Sequence, residues 1–213
     1  MTSYPDRLTY IRDLFAPENA AQQAARESLT GANDKISIYA EEGKLLQLLI
    51  RLAGVKTIVE VGALGGYAAL WMAASLPEDG HLYTIEKDPA RAAIARRNIA
   101  AAGNITLLEG DARQVLAALD GKAPFDMIFI DADKLNYLHY LDWAEQHIRK
   151  GGLIIGDNSL LFDAVWMEEL PPRVRQTALQ AMRAFNQRLA DPARYHGILL
   201  PTQEGMTIAQ KLF

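Results

Sequence analysis

The stretch Phe125–Lys134, with the sequence FDMIFIDADK, decides the fold of this chain because an apolar run leads directly into two acids and a lysine. Such a run is typical of a buried strand of a parallel sheet. A second stretch, Gly151–Asn158 (GGLIIGDN), follows the same pattern and ends in an aspartate and an asparagine. Open α/β sheets bind their ligands at the carboxyl ends of the strands. If these two strands are neighbours, their polar ends form one site.

The chemistry of these strand ends fits a hard divalent cation. Asp131, Asp157 and Asn158 would supply three oxygen ligands, with Lys134 one turn away. Carboxylate and amide oxygens are the ligands that such cations take in proteins. For either motif alone an alternative stays open, namely that the polar residues only cap the helix that follows.

Composition limits the class of protein. The 213 residues are enough for one well-buried domain, so we expect a single domain over 1–213. A formal net charge of −4 argues against a general nucleic-acid or anionic-membrane binder. The absence of cysteine excludes disulfides, zinc–thiolate sites and a cysteine nucleophile. The N-terminus lacks a signal-peptide pattern and no apolar run reaches membrane-spanning length, so we expect a cytoplasmic protein.

From Thr57 onward, strand-like and helix-like patterns alternate as in a doubly wound α/β fold. We predict a Rossmann-like, mostly parallel sheet with helices on both faces. The expected strands are 57–61, 81–85, 105–108, 125–130, 151–156, 195–200 and 206–213, and the expected helices are 68–76, 89–102, 115–119, 137–148 and 171–189. Residues 1–56 are helical in pattern and are expected to form a lid or an oligomer contact.

The first three strand ends predict the cofactor. Glu60–Tyr67 (EVGALGGY) is rich in glycine but lacks the G-x-G-x-x-G spacing of a dinucleotide site. The carboxylate of Glu60 would repel a phosphate and suits the positive charge of S-adenosylmethionine (SAM). Glu86 ends the second strand, where an acid commonly accepts hydrogen bonds from ribose hydroxyls. Asp111 and Ala112 would then lie beside the adenine ring, so the ordered set predicts a SAM site.

These motifs give the chain a family resemblance from about Lys35 to the C-terminus. The chain resembles the metal-dependent O-methyltransferases typified by catechol and caffeoyl-CoA O-methyltransferases, above all their small bacterial members. The motifs that carry the resemblance are Glu41–Gly43, Glu60–Gly62, Gly66–Tyr67, Leu76–Gly80, Asp131–Lys134 and Asp157–Asn158. It implies a seven-stranded methyltransferase sheet with an antiparallel last strand and, commonly, a homodimer.

The resemblance also implies roles for individual residues. The reaction would be an in-line methyl transfer from SAM to a hydroxyl of a catechol-like vicinal diol. Lys134 matches the family's general base, and Asp131, Asp157 and Asn158 match its metal ligands, which makes Asp131 catalytic as well. Magnesium is the first choice of metal, and manganese or calcium would also fit. The implied cofactor contacts are Ile36, Ile38, Glu60, Gly62, Ala63, Tyr67, Ala68, Glu86, Asp111, Ala112, Asp131 and Asp133.

Departures from the family pattern bear on the substrate. Ala68 stands where many relatives place a serine or threonine near the cofactor carboxylate, so one hydrogen bond is absent or replaced. Ser159–Phe162 replaces the tryptophan and asparagine that touch substrate in the plant enzymes, which argues against a plant-type acyl-CoA substrate. The apolar run Leu160–Phe162, together with Trp166 and Met167, predicts either a substrate wall or a dimer contact.

The sequence also allows two other functions to be considered. Some bacterial relatives methylate a hydroxylated uridine in transfer RNA; the acidic charge balance disfavours this acceptor, although a few local arginines such as Arg173 and Arg175 would suffice to bind it. A non-catalytic or NAD-binding α/β protein is disfavoured by the glycine spacing and by the complete metal and lysine set.

Overall fold

The computed structural model describes residues 4–30 and 36–213, so that Lys35, where the resemblance begins, lies outside the described residues. The strands β1 to β7 are Thr57–Val61, His81–Glu86, Ile105–Glu109, Phe125–Ile130, Ile148–Gly156, Tyr195–Leu200 and Met206–Lys211. They form a seven-stranded sheet in the order β3-β2-β1-β4-β5-β7-β6. The pairs β1–β4, β2–β3 and β4–β5 are parallel, whereas β7 is antiparallel to both β5 and β6. The predicted sheet with an antiparallel last strand is confirmed.

The α-helices α1 to α8 are Arg7–Phe15, Ala20–Glu27, Ala40–Leu52, Tyr67–Ala73, Pro89–Asn98, Ala112–Val115, Tyr137–His147 and Gln176–Leu189. Two 3₁₀ helices, Leu116–Lys122 and Lys134–Asn136, precede β4 and α7 respectively. The helical pattern predicted for the N-terminal segment is confirmed over α1, α2 and α3. None of the helices in the described part of the chain is long and apolar enough to cross a membrane.

Several helix boundaries differ from the prediction. Helix α4 ends at Ala73 and not at residue 76, and the helix predicted over 115–119 is replaced by α6 and the 3₁₀ helix that follows it. Helix α8 begins at Gln176 and not at Pro171, because Val174 N donates to Pro171 O at 2.9 Å and closes a turn there. Helix α5 ends at Asn98, earlier than predicted, although it begins as expected with Asp88 accepting hydrogen bonds from the first turn. Proline suits a turn as well as a helix start, so the sequence alone did not decide between the two.

The chain divides into two compact units. The first comprises Met1–Lys56 and Ala63–Glu109 and contains α1 to α5 with β2 and β3. Its core includes Trp71 and Met72, and both are almost fully buried. The expectation of one domain over residues 1–213 stays a prediction.

The second unit comprises Thr57–Gly62 and Gly110–Phe213 and contains β1, β4 to β7 and α6 to α8. Met127–Ile130 of β4 is fully buried, which explains why this strand reads as a continuous apolar run. The ring of Phe185 in α8 packs edge-on against Tyr137 at 5.1 Å between centroids. A Cβ at Gly156 would lie 2.7 Å from the Phe185 ring, so β5 needs glycine where this ring crosses it.

Candidate active site

The carboxyl ends of β4 and β5 lie side by side in the second unit, as predicted. Ile130 is the register partner of Gly156, so Asp131 and Asp157 follow paired positions. The amide of Asp157 donates to Ile130 O at 2.9 Å and fixes this register up to the strand ends. The structure therefore places both aspartates at one edge of the sheet.

Asn158 continues this edge through a turn. Its backbone has a φ of 54°, in the left-handed region that asparagine tolerates better than most residues. Its Nδ2 lies 3.4 Å from Asp157 Oδ2, so the amide group stands beside the Asp157 carboxylate. Asp157 is 3% exposed, whereas the Asp131 side chain keeps 19% of its surface exposed.

These side chains fit a divalent cation by the chemistry of their donors. Asp131 and Asp157 would supply carboxylate oxygens at paired strand ends, and Asn158, whose Nδ2 is the atom that contacts Asp157, would supply its amide oxygen. Across residues 4–30 and 36–213, no cluster of three or more histidine, cysteine, aspartate or glutamate side chains is arranged to hold a metal. The predicted set has two carboxylates, with an amide as its third member, and its metal-binding role stays a prediction.

Lys134 lies at the same edge, at the start of a 3₁₀ helix. Its Nζ donates to Asp131 Oδ1 at 3.2 Å and to the hydroxyl of Tyr137 at 2.7 Å. The Lys134 side chain is 18% exposed, so the ammonium is held near the surface of the edge and is not buried beneath it. The structure thus brings the predicted base and a predicted metal ligand into direct contact.

Tyr137 is a part of this edge that the sequence reasoning missed. Its side chain is fully buried at the start of α7, and its hydroxyl lies 3.0 Å from Ile130 O and 2.8 Å from Asp157 O. Burial raises the pKa of the Tyr137 phenol well above its ordinary value, so the hydroxyl keeps its proton. The only signal in the sequence is the spacing of three residues from Lys134, which places both on one helical face.

The end of β1 packs against the same edge. Gly62 has a φ of 105°, and a Cβ on it would lie 2.1 Å from Asp131 O. Only glycine fits this approach. The amide of Asp131 donates to Val61 O at 2.9 Å. Glu60, two residues earlier, is fully buried and pairs with Phe129 of β4.

Two other predicted cofactor contacts in this unit already have protein partners. Asp111 caps α6 through Arg113 N at 3.0 Å and also forms an ion pair with the Arg113 guanidinium. Asp133 accepts hydrogen bonds from Asn136 and from the Tyr140 hydroxyl. Capping therefore accounts for part of what Asp111 does, whereas the Asp133 side chain makes no cap hydrogen bond to the 3₁₀ helix that follows it. Ala112, beside Asp111, is buried.

In the first unit, Glu86 holds the glycine-rich turn. Its Oε2 accepts from Leu64 N at 2.8 Å, and its Oε1 accepts from Asp88 N at 2.9 Å. Leu64 has a φ of 49°, which is costly for a leucine, so this hydrogen bond stabilises a strained turn. Each carboxylate oxygen retains a further lone pair for a ligand hydroxyl.

The remaining predicted contacts of the first unit surround that turn or lie before α3. Ala63 is buried and donates its amide to Ile85 O at 3.0 Å. Tyr67 and Ala68 form the first turn of α4. Ile36 is half exposed, whereas Ile38 is buried.

A cavity of about 610 Å³ lies in this first unit. Ile38 and Tyr67 line it together with Arg12, Glu18 and Arg26. The Tyr67 hydroxyl donates to Glu18 Oε1 at 2.6 Å, and the same carboxylate pairs with Arg26 at 3.0 Å. The wall of the cavity is therefore polar and internally paired, and two of its members are predicted cofactor contacts.

The apolar run after Asn158 forms a strained turn. Leu161, Phe162 and Asp163 have φ values of 47°, 55° and 67°, three consecutive non-glycine residues in the left-handed region. Such residues usually occur singly. Phe162 and Trp166 remain 41% and 61% exposed, so the turn presents aromatic surface.

Helix α8 fixes this turn. Arg183 donates to Val165 O at 2.9 Å and to Met167 O at 2.8 Å, and Asn186 donates to Ser159 O at 2.8 Å. Backbone strain of this kind persists only where surrounding contacts hold it, and it clusters at functional sites. The contacts leave both alternatives open for the aromatic surface, a substrate wall or a dimer contact.

Comparisons with known proteins agree with this architecture. The family model described as O-methyltransferase matches residues 18–212. A catechol O-methyltransferase of Niastella koreensis is 42% identical over 186 residues, covering 84% of this chain and 82% of that protein. A catechol O-methyltransferase of Mycobacterium tuberculosis is 34% identical over 158 residues, covering 72% and 71%.

A solved structure gives the same result. The O-methyltransferase TomG from Streptomyces achromogenes, determined in complex with SAM, is 32% identical and aligns with a TM-score of 0.83 over 96% of this chain and 95% of that one. These matches confirm the predicted enzyme class, a SAM-dependent O-methyltransferase. With the family model matched over nearly the whole chain, the protein belongs to the O-methyltransferase family.

Proposed function

We propose that this enzyme methylates one hydroxyl of a catechol-like phenolic diol and that it requires a divalent cation for this reaction. The observation that carries the proposal is the set at the β4–β5 edge, where Lys134 contacts Asp131 and where Asp131 and Asp157 follow paired strand positions. Two relatives are named catechol O-methyltransferase, which supports the same acceptor class.

In this proposal, Asp131, Asp157 and Asn158 hold the cation, with magnesium as the first choice. When bound there, the cation would lower the pKa of a diol hydroxyl and fix the orientation of the diol.

Lys134 acts as the base. In its neutral amine form, Nζ takes the proton of the attacking hydroxyl on its lone pair, a bond forms between that oxygen and the methyl carbon, and the bond from carbon to sulfur breaks. The products are the methyl ether and S-adenosylhomocysteine, with the proton on Lys134. The carboxylate of Glu60 favours the positively charged donor over its neutral product.

The cofactor contacts stay predictions of the same proposal. Glu86 accepts hydrogen bonds from the ribose diol while it holds Leu64 in its turn. Gly62 is proposed to contact the donor at the point where the chain packs so closely on Asp131 O that any side chain would collide with it. The enzyme is also proposed to act as a homodimer, which the apolar residues Leu14 and Phe15 of α1, more than half exposed, would help to form.

The experiment follows methyl transfer to a catechol with SAM, before and after exhaustive chelation. Chelation should abolish turnover, and magnesium should restore it. RNA containing a hydroxylated uridine serves as the competing acceptor. Full turnover in the chelated enzyme would contradict the metal requirement. Methylation of the RNA without methylation of any catechol would contradict the acceptor class.

A further inference from the structure

The hydroxyl of Tyr137 joins three groups at the proposed catalytic edge. It lies within hydrogen-bond distance of Ile130 O at the end of β4, of Asp157 O just after β5 and of Lys134 Nζ. The ring is fully buried, and Lys134 Nζ also lies 4.7 Å from its centroid. A single side chain therefore links the two strand ends to the lysine.

Counting hydrogens fixes the direction of these bonds. A neutral phenol has one hydrogen, and the two carbonyl oxygens can only accept. The hydrogen is thus directed toward Ile130 O and Asp157 O, and the lone pairs of the hydroxyl are left for Lys134. The lysine must donate to Tyr137, at 2.7 Å, just as it donates to Asp131 at 3.2 Å.

Among the residues that the structure describes, these two acceptors leave one position on Nζ open. A neutral lysine amine carries two N–H groups, which Tyr137 and Asp131 take, and its lone pair occupies the third position. With both contacts made, the third position has a single direction, since rotation of Nζ would break them. A lysine without the Tyr137 contact would lose this restraint, because its four-carbon chain has many rotamers.

We propose that Tyr137 is a positioning residue that orients Nζ of Lys134 toward the acceptor hydroxyl. The inference rests on the proposed role of Lys134 as the base. Tyr137 touches neither acceptor nor donor in this proposal and acts only through Lys134. The competing explanation is that the tyrosine merely clamps β4 to β5.

A double-mutant cycle separates these explanations. Tyr137→Phe, Lys134→Ala and the double variant are compared with wild type on one catechol, with metal and SAM saturating. Tyr137→Phe keeps the ring and its packing on Phe185 and removes only the hydroxyl. We expect kcat to fall about 10- to 100-fold, as for a misplaced reacting group, while KM for the catechol changes less than about twofold. In the Lys134→Ala background, Tyr137→Phe should have no further effect on kcat.

Two control variants separate the loss of this hydroxyl from the loss of any buried hydroxyl and from loosened packing. Tyr195→Phe removes another buried hydroxyl of this unit, one bonded to Glu145, and should leave kcat unchanged. Phe185→Leu loosens the packing around the Tyr137 ring and keeps its hydroxyl, so kcat should again be retained. A loss of kcat of about 10-fold or more in a folded Phe185→Leu protein would show that turnover follows packing. That result would overturn the inference even if Tyr137→Phe did not fold.

The remaining outcomes are also decisive. The same fold-loss from Tyr137→Phe in both backgrounds would mean that the tyrosine does not act through the lysine, and it would overturn the inference while leaving the proposed base intact. Full turnover in Lys134→Ala would instead remove the proposed base, and the positioning role would fall with it. A loss in Lys134→Ala that Tyr137→Phe does not deepen supports both.

Discussion

Two polar clusters of the second unit differ in how completely their charges are paired. One is the edge that we propose to be catalytic, called the catalytic edge below and defined by Asp131, Lys134, Tyr137, Asp157 and Asn158. The other, here the Glu145 cluster, consists of Glu145, Arg188, Arg194, Tyr195 and Lys211. Both combine a carboxylate, a cation and a buried tyrosine.

The charged groups of the Glu145 cluster are paired with one another. Its carboxylate is shared by Arg188 at 2.5 Å and Arg194 at 2.8 Å, and the Tyr195 hydroxyl also donates to it. Lys211 donates to the carbonyls of Glu145 and Ile148. The carboxylate is only 11% exposed, so these partners leave little of it to a ligand.

The catalytic edge is left incomplete by comparison. Among the residues that the structure describes, Lys134 Nζ has two hydrogen-bond acceptors, the Tyr137 hydroxyl and the partly exposed Asp131 carboxylate, which leaves one position on Nζ open. A polar network that only stabilises a fold gains by satisfying every group, whereas a site must keep capacity for its ligand. The contrast leads us to expect that changes at the edge act on turnover and that changes in the Glu145 cluster act on stability.

The largest expected effect is on turnover at the edge. Lys134→Ala should lower kcat by about 10²–10⁴, the usual contribution of a general base. Lys134→Arg should not rescue it, because guanidinium does not release its proton near neutral pH. Pre-steady-state methyl transfer to one catechol, with metal saturating, measures the loss. A kcat within about threefold of wild type in Lys134→Ala would retire this residue as the base.

The matching change in the Glu145 cluster is Glu145→Gln. It leaves two arginines facing an amide and should lower the free energy of unfolding by about 1–3 kcal/mol, less than for a fully buried pair because both arginines are partly exposed. Denaturant unfolding measures this change, and kcat below the unfolding temperature should stay within about twofold. A loss of kcat in a folded Glu145→Gln protein would contradict the expectation that the Glu145 cluster acts on stability alone.

The Glu145 cluster also predicts a dependence of stability on pH. Burial alone would raise the pKa of Glu145, but hydrogen bonds from Arg188 and Tyr195 hold it below its ordinary value. A carboxylate with a lowered folded-state pKa stabilises the fold above its unfolded pKa, and this contribution is lost as pH falls through the folded value. The free energy of unfolding of wild type should therefore fall more steeply with decreasing pH than that of Glu145→Gln.

A smaller effect is expected at Glu86 of the first unit. Glu86→Ala should weaken SAM binding by about 1.5–3 kcal/mol, the range for hydrogen bonds to a charged group. Asp88→Ala is the matched control, because it removes the cap of α5 next to Glu86 and should leave SAM affinity unchanged. Calorimetric titration that finds equal affinity in Glu86→Ala and wild type would leave Glu86 with only its structural role.

The smallest expected effect tests the aromatic turn after Asn158. Arg183→Ala removes the hydrogen bonds to Val165 O and Met167 O and should loosen the turn that carries Trp166. If the turn is a substrate wall, KM for the catechol should rise about threefold to tenfold, which corresponds to about 1 kcal/mol, with kcat little changed. If it is a dimer contact, sedimentation should show dissociation at unchanged KM.

Much of the edge could be predicted from sequence because its elements are locally encoded. A fully buried stretch of strand requires an uninterrupted apolar run, so Met127–Ile130 allowed little choice, and the polar residues that follow it mark the candidate site. Tyr137 could not be predicted, because its partners are the carbonyls at two strand ends that only the register of the sheet brings together.

Two further features could not be predicted for related reasons. The hydrogen bond from Leu64 to Glu86 depends on a left-handed leucine that no local preference favours. The three consecutive left-handed residues Leu161–Asp163 are likewise held by α8, far along the chain. Local sequence therefore identified most residues of the candidate site, whereas the positions of their side chains depend on tertiary contacts.

Direct titration of a divalent cation tests the central claim, that the incomplete edge is a metal site. Mn²⁺ binding, followed by electron paramagnetic resonance of the free ion, needs neither substrate nor turnover. We predict one bound Mn²⁺ per chain in wild type and in Glu145→Gln, and loss of that site in Asp157→Ala. Equal binding in Asp157→Ala and wild type, or loss of binding in Glu145→Gln alone, would contradict the account.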